Sequence, residues 1–112
     1  TKDNYAILLD ALSHSAIDRI SIEDACDHLP LSVISRVRKK ELVLGSVSIS
    51  TPALVPVSDI VRRISEVLTV VPPEQLFIGP DCGLLLLTPE IAQAKLATMM
   101  EAVQIVRKKL SP

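Results

Sequence analysis

The chain has 112 residues, 48% of them apolar and 22% charged, with a formal net charge of −1. That length allows one domain or part of one, and the balance excludes a disordered tail and a basic surface for nucleic acid or anionic lipid. One Tyr, one Phe and no Trp leave no platform for stacking single-stranded bases, so the core must come from Leu, Ile, Val and Ala, as in buried parallel sheets.

No apolar run approaches the roughly 18 residues that a bilayer span needs. The opening TKDNYAILLD lacks the basic-then-apolar order of a secretory signal, so a cytoplasmic setting without a membrane partner is expected. The two cysteines, Cys26 and Cys82, are far apart and are expected to be free or metal-bound rather than disulfide-linked. A first residue of Thr rather than Met raises the expectation of a fragment.

In chain order, residues 4–15 (NYAILLDALSHS) predict a helix with Ile7, Leu8, Ala11 and Leu12 on its packed side. Arg19-Ile20-Ser21-Ile22-Glu23 alternates as a short strand does. Residues 29–40 (LPLSVISRVRKK) predict a helix with Pro near its start and a basic last turn. Leu42 to Ile49 predicts the second strand. Residues 58–69 predict a helix carrying Val57, Ile60, Val61, Ile64, Val67 and Leu68 at spacings of three and four, with Ser58 as N-cap and Pro72-Pro73 as its stop. Residues 75–79 predict the third strand, ended by the Gly/Pro punctuation of GPDCG. Thr88 and Pro89 then open a long helix as cap and first turn. Its apolar side is Ala92, Leu96, Met99, Val103, Val106 and Leu110, and its end is the basic Arg107-Lys108-Lys109.

Strands alternating with helices predict an α/β fold with a parallel sheet. Two architectures use that order: a small open doubly wound sheet, and a slice of a (β/α)8 barrel. A whole barrel takes about 250 residues, so three strands are only a portion of one. Both edges of a three-stranded parallel sheet are liabilities that proteins cover. Upstream barrel strands or self-association are therefore expected partners.

In such folds the working residues project from the carboxyl ends of the strands. Here those ends carry Glu23, Ser48-Ile49-Ser50 and Asp81-Cys82, with Cys26 and His28 close behind Glu23. Cys, His and Glu are all ordinary zinc ligands, although the spacing is not a zinc-finger pattern. The competing expectations are a buried structural thiol at Cys82 and a helix-capping or ion-paired carboxylate at Glu23. Asp81 is expected to hold its own turn by an Asx-type bond, and Gly79 and Gly83 to serve turn geometry. Met99-Met100 reads as core or interface filler. His14, at a helix end, is assigned no function, and the basic runs at 36–40, 62–63 and 107–109 are expected to be solvated.

The stretch VPPEQLFIGPDCGLLLL, followed by EIAQAKLATMMEAVQIVRKKL, resembles the carboxyl-terminal end of the cobalamin-independent methionine synthase family. That family carries PDCGL at the end of its last barrel strand and then a similar helix. DRISIEDA and LVLGSVSISTPALVPVSDIVRRI resemble its two preceding strand-and-helix units, so the likeness covers nearly the whole chain. It implies a carboxyl-terminal (β/α)3 portion of a TIM (β/α)8 barrel, with residues 1–112 forming a single segment. It further implies zinc held by Cys82 and Glu23, a homocysteine-like thiol bound as thiolate, and a methylated folate as methyl donor. The reaction implied is methyl transfer in methionine biosynthesis, and no residue of this segment is assigned as a general acid or base.

Two departures accompany the likeness. The family's His-x-Cys ligand pair lies on an earlier strand that would precede Thr1, so this chain alone is expected to be inactive. The family's Asp-x-His pair, whose His serves as proton donor, corresponds to Ser48 and Ser50. A divergent, methionine-synthase-like member is therefore expected. Two other readings stay open at this stage: a barrel of the uroporphyrinogen-decarboxylase type, and a non-catalytic α/β module that completes its sheet by self-association.

Overall fold

A computed structural model describes residues 2–111. The elements run α1 (Lys2–Ser13), β1 (Arg19–Glu23), α2 (Leu31–Ile34, continued by a 3-10 turn Ser35–Val37), β2 (Glu41–Gly45), α3 (Val57–Val67), β3 (Leu76–Gly79) and α4 (Pro89–Leu110). The strands form one parallel sheet in the order β1-β2-β3. This is the alternation expected from the sequence.

The sheet is covered on one side only. Ile20, Ile22, Leu42 and Leu44 are buried against Leu9 of α1, Ile34 of α2 and Val67 at the end of α3. Leu76 and Ile78 of β3 bridge that cluster to a second one, in which Ile60, Val61 and Ile64 of α3 meet Met99, Ala102 and Val106 of α4. Side chains alternate across a strand, so the other face shows the remaining residues in three register layers. These are Arg19 with Glu41, then Ser21 with Val43 and Phe77, then Glu23 with Gly45 and Gly79. On that face Arg19 pairs with Glu41 at 3.0 Å and stacks over the Phe77 ring at 4.3 Å.

Several local expectations need correction. The packed residues of α1 are Leu9, with Tyr5 and Leu12 beside it; Ile7 is 71% exposed and Leu8 and Ala11 are exposed as well. The expected helix over 29–40 stops early, because Val37 to Lys40 make a tight turn closed by Lys40 N–H donating to the Val37 carbonyl at 3.0 Å. The cap of α3 is Pro56, and Ser58 lies inside the first turn. Strand β2 ends at Gly45 rather than Ile49. Its backbone still follows the neighbouring segment, with Ser46 N–H donating to Gly79 O at 2.8 Å and Asp81 N–H to Val47 O at 2.9 Å. Thr88 does cap α4, accepting from Ile91 N–H at 3.3 Å, and Pro89 takes the first turn. Leu110 is exposed at the far end.

Candidate functional site at the strand ends

The carboxyl ends of the three strands converge through one side chain. Asp81 Oδ1 accepts the backbone N–H groups of Asp24 and Ala25, both at 3.2 Å. The expected Asx bond within its own turn is thus replaced by a tie across the sheet to the residues after Glu23. Gly45 lies between them, and its lack of a side chain makes the tie possible: a Cβ there would collide with Asp81 Oδ1 and stand 2.8 Å from the Ile22 carbonyl. Gly79 and Gly83 have no positive φ, so left-handed turn geometry is not their role.

Behind this tie Asp24 is 1% exposed, and its two oxygens take Arg63 Nε at 2.7 Å and Nη2 at 3.0 Å. Asp24 Oδ1 also accepts Leu29 N–H at 2.8 Å, and Arg63 Nη2 donates to Leu29 O at 2.7 Å. The loop after β1 is therefore held from α3. Burial opposes the charge on Arg63, but the hydrogen bonds and attraction of Asp24, and then Glu66, outweigh it and raise the guanidinium above its ordinary value. Arg63 is not the solvated helix charge that its Arg-Arg dipeptide suggested. Only its partner, 39 residues away, reveals the difference.

A cleft of about 420 Å³ opens at these strand ends, lined by Glu23, Cys26, Ser48, Ser50, Asp81 and Tyr5 among others. Its wall is a small network. Cys26 Sγ donates to Ser48 Oγ at 3.0 Å, Ser48 and Ser50 hydroxyls are 2.7 Å apart, and Ser50 N–H donates to Ser48 Oγ at 3.0 Å. Glu23 and Cys82 are both exposed, and Cys82 is a free thiol. Neither side chain makes a hydrogen bond or ion pair among the described residues. Cys82 is not the buried structural thiol of the competing expectation, and Glu23 neither caps a helix nor pairs with a cation. His28 lines a different depression, beside Asp59 and Arg62, so the structure separates it from Cys26. His14 Nδ1 stands 2.8 Å from the Asp10 carbonyl, at the end of α1 and away from the cleft.

Among the described residues no group of three or more His, Cys, Asp and Glu side chains is close enough to hold a metal ion. What the strand ends do offer is a thiol and a carboxylate with unspent lone pairs, suited as two donors of a catalytic zinc set. No helix among the described residues is long and apolar enough to cross a membrane.

A family model described as the cobalamin-independent synthase catalytic domain matches residues 2–105. The methionine synthase of Pyrococcus abyssi is 37% identical over 108 residues, which cover 96% of this chain and 32% of that protein. That of Thermococcus kodakarensis is 32% identical over 109 residues, with the same two shares. Among solved structures, a B12-independent methionine synthase from Shewanella sp. W3-18-1, in complex with selenomethionine, superposes with a TM-score of 0.90 at 25% identity. The superposition covers 95% of this chain and 31% of that one. The chain thus spans about a third of the length of the curated relatives it matches, and its three parallel strands and helices match part of a TIM barrel.

Proposed function

The chain belongs to the cobalamin-independent synthase family, catalytic domain, and we propose that it supplies the carboxyl-terminal (β/α)3 segment of a cytoplasmic barrel that methylates a thiol. The thiol is homocysteine-like, the donor is a methylated folate, and zinc is the cofactor. The observation that carries this reading is the Asp81 tie. It ties the residue before Cys82 to the two residues that follow Glu23.

In this reading Cys82 and Glu23 are two of the metal's donors, and the remaining ones come from barrel strands outside this segment. Bound zinc would lower the pKa of a substrate thiol, so that a thiolate nucleophile is available near neutral pH. The chain's own residues prepare the place. Gly45, in the layer beside Glu23, yields its side-chain space to the Asp81 carboxylate, which closes the floor of the mouth. Asp81 and the Asp24–Arg63 pair fix the two donor-bearing loops relative to each other. Ser48 and Ser50 can orient a polar group of the substrate, but hydroxyls do not titrate near neutral pH. Proton delivery to the departing folate nitrogen therefore falls to a group other than these two.

The open face and edges support the barrel reading over a free-standing module. Ile7 and Leu8 of α1, Phe77 on the bare face of β3 and Leu110 at the end of α4 are exposed, apolar surface that the rest of a barrel would cover. Alone, the chain lacks part of the donor set and is inactive.

Zinc content by mass spectrometry and elemental analysis tests the reading, on the purified chain beside Cys82→Ser and Glu23→Gln. The measurement is repeated on the chain joined to the upstream strands. Zinc that binds the joined protein and is lost on either substitution supports the assignment. Full zinc occupancy in both variants overturns it.

A further inference from the structure

Lys95 is 3% exposed on the packed side of α4, one turn before Met99 and in line with Ala102 and Val106. Lysine is almost never this buried without an ionic partner, and no carboxylate pairs with it among the described residues. Its Nζ instead donates to the Ser48 carbonyl at 2.7 Å. A leucine in that position would fill the same helix face without desolvating an amine. The retained polar atom is aimed at the one residue whose side chain organises the cleft wall. Ser48 Oγ accepts from Ser50 N–H and Cys26 Sγ and shares a hydrogen bond with the Ser50 hydroxyl, while its backbone is gripped from behind by α4.

We propose that Lys95 is a positioning residue for the mouth: by holding the Ser48 carbonyl it fixes loop 46–56, and through Ser48 it sets where Ser50 and Cys26 face the cleft. The helix on the outside of the sheet thereby controls the wall on the inside. The functional weight of this inference rests on the reading of the strand-end mouth as the working site, but the geometry does not. The competing role is plain packing of the lysine stem along apolar surface, as long charged side chains often do. In that role the terminal amine would be dispensable.

Amide hydrogen exchange by NMR on the purified chain distinguishes the two. In Lys95→Met the amides of Ser50, donating to Ser48 Oγ, and of Asp81, donating to Val47 O, exchange about fivefold faster, the effect of losing one net hydrogen bond. The Leu68 amide, bonded to Ile64 O at the end of α3, keeps its rate. Lys95→Arg, which retains a donor, restores slow exchange at Ser50 and Asp81. Should the methionine variant fail to fold, Lys95→Gln gives the same comparison with a polar side chain too short to reach the carbonyl. Unchanged Ser50 and Asp81 exchange in a folded variant lacking the lysine overturns the proposal. So does acceleration spread equally to Leu68. No metal or substrate enters the measurement, so its outcome is independent of the zinc result.

Discussion

Gly45 and Asp81 occupy one space: the aspartate oxygen that ties β3 to the end of β1 lies where a Gly45 side chain would begin. Adding that atom forces either the Asp81 turn or the β1 carbonyl at Ile22 to move. Gly45→Ala should destabilise the protein by about 1–3 kcal/mol, the usual range for overpacking. Urea unfolding would measure this. Hydrogen exchange at Asp24 and Ala25 should quicken in the same variant, and Asp81→Asn, which keeps the acceptor oxygen, should leave those two amides nearly as slow as before.

Arg63→Met leaves the Asp24 carboxylate buried without its fork of donors. Breaking a buried pair by removing one partner costs about 3–5 kcal/mol, and thermal and urea denaturation should both report a loss of that size. Arg63→Lys should recover only part of it, since an ammonium cannot reproduce the bidentate contact. The guanidinium is raised above its ordinary value in the folded state, because the hydrogen bonds and attraction of Asp24 outweigh its burial. Its share of stability is therefore fully present below the ordinary value and is lost only as pH climbs past the folded one. Titrating the protein from neutral to moderately alkaline pH should reveal no loss traceable to Arg63.

Arg38 has φ 55° and ψ −115°, the first central position of a type II′ turn, which favours glycine. Gln75 Nε2 pins that turn from outside, donating to Arg38 O at 2.6 Å and Lys40 O at 2.9 Å. Relief of strain at such a position is worth about 1–3 kcal/mol. Arg38→Gly gives up an exposed ion pair with Asp10 worth about 0–1 kcal/mol. The variant should be neutral or more stable, and a differential scanning experiment that found it markedly less stable would remove strain as the explanation.

Phe77 reports whether the bare face is covered. In this chain it is 38% exposed beneath Arg19, where a cation–π contact contributes about 0.5–1 kcal/mol. Phe77→Ala should lower stability only slightly here. In a barrel that closes over this face the same substitution should cost about 3–5 kcal/mol, as for a buried aromatic. Comparing the two losses would measure the closure directly.

The fold was largely legible because its signals are local. The alternation of RISIE, the Pro72-Pro73 stop and the Thr88-Pro89 start each act within a few residues, and all three correspond to elements of the structure. The errors in α1 and α2 arose where a local pattern underdetermines direction. Ile7 and Leu8 are as apolar as Leu9, and only the position of β1 and α2 decides which of them is buried. Glu23 and Cys82 were legible as strand-end residues. Arg63, Asp24 and Lys95 were not, because a charged residue in a helix looks solvated until its distant partner is known. Asp24-Ala25 following a strand, and a lysine interrupting the apolar side of α4, were the signals that existed.

The one-sided sheet has a consequence for how such a protein can change. Each strand devotes its even-numbered or odd-numbered positions to only one task. Ile20, Ile22, Leu42 and Leu44 hold helices, while Arg19, Ser21, Glu23 and Val43 face the other way. Substitutions on the second set scarcely touch packing on the first. Mutational drift in the chemistry of that face can therefore proceed at little structural risk. Gly45 is the position where that freedom ends, since there the two tasks meet in the same atom-sized space.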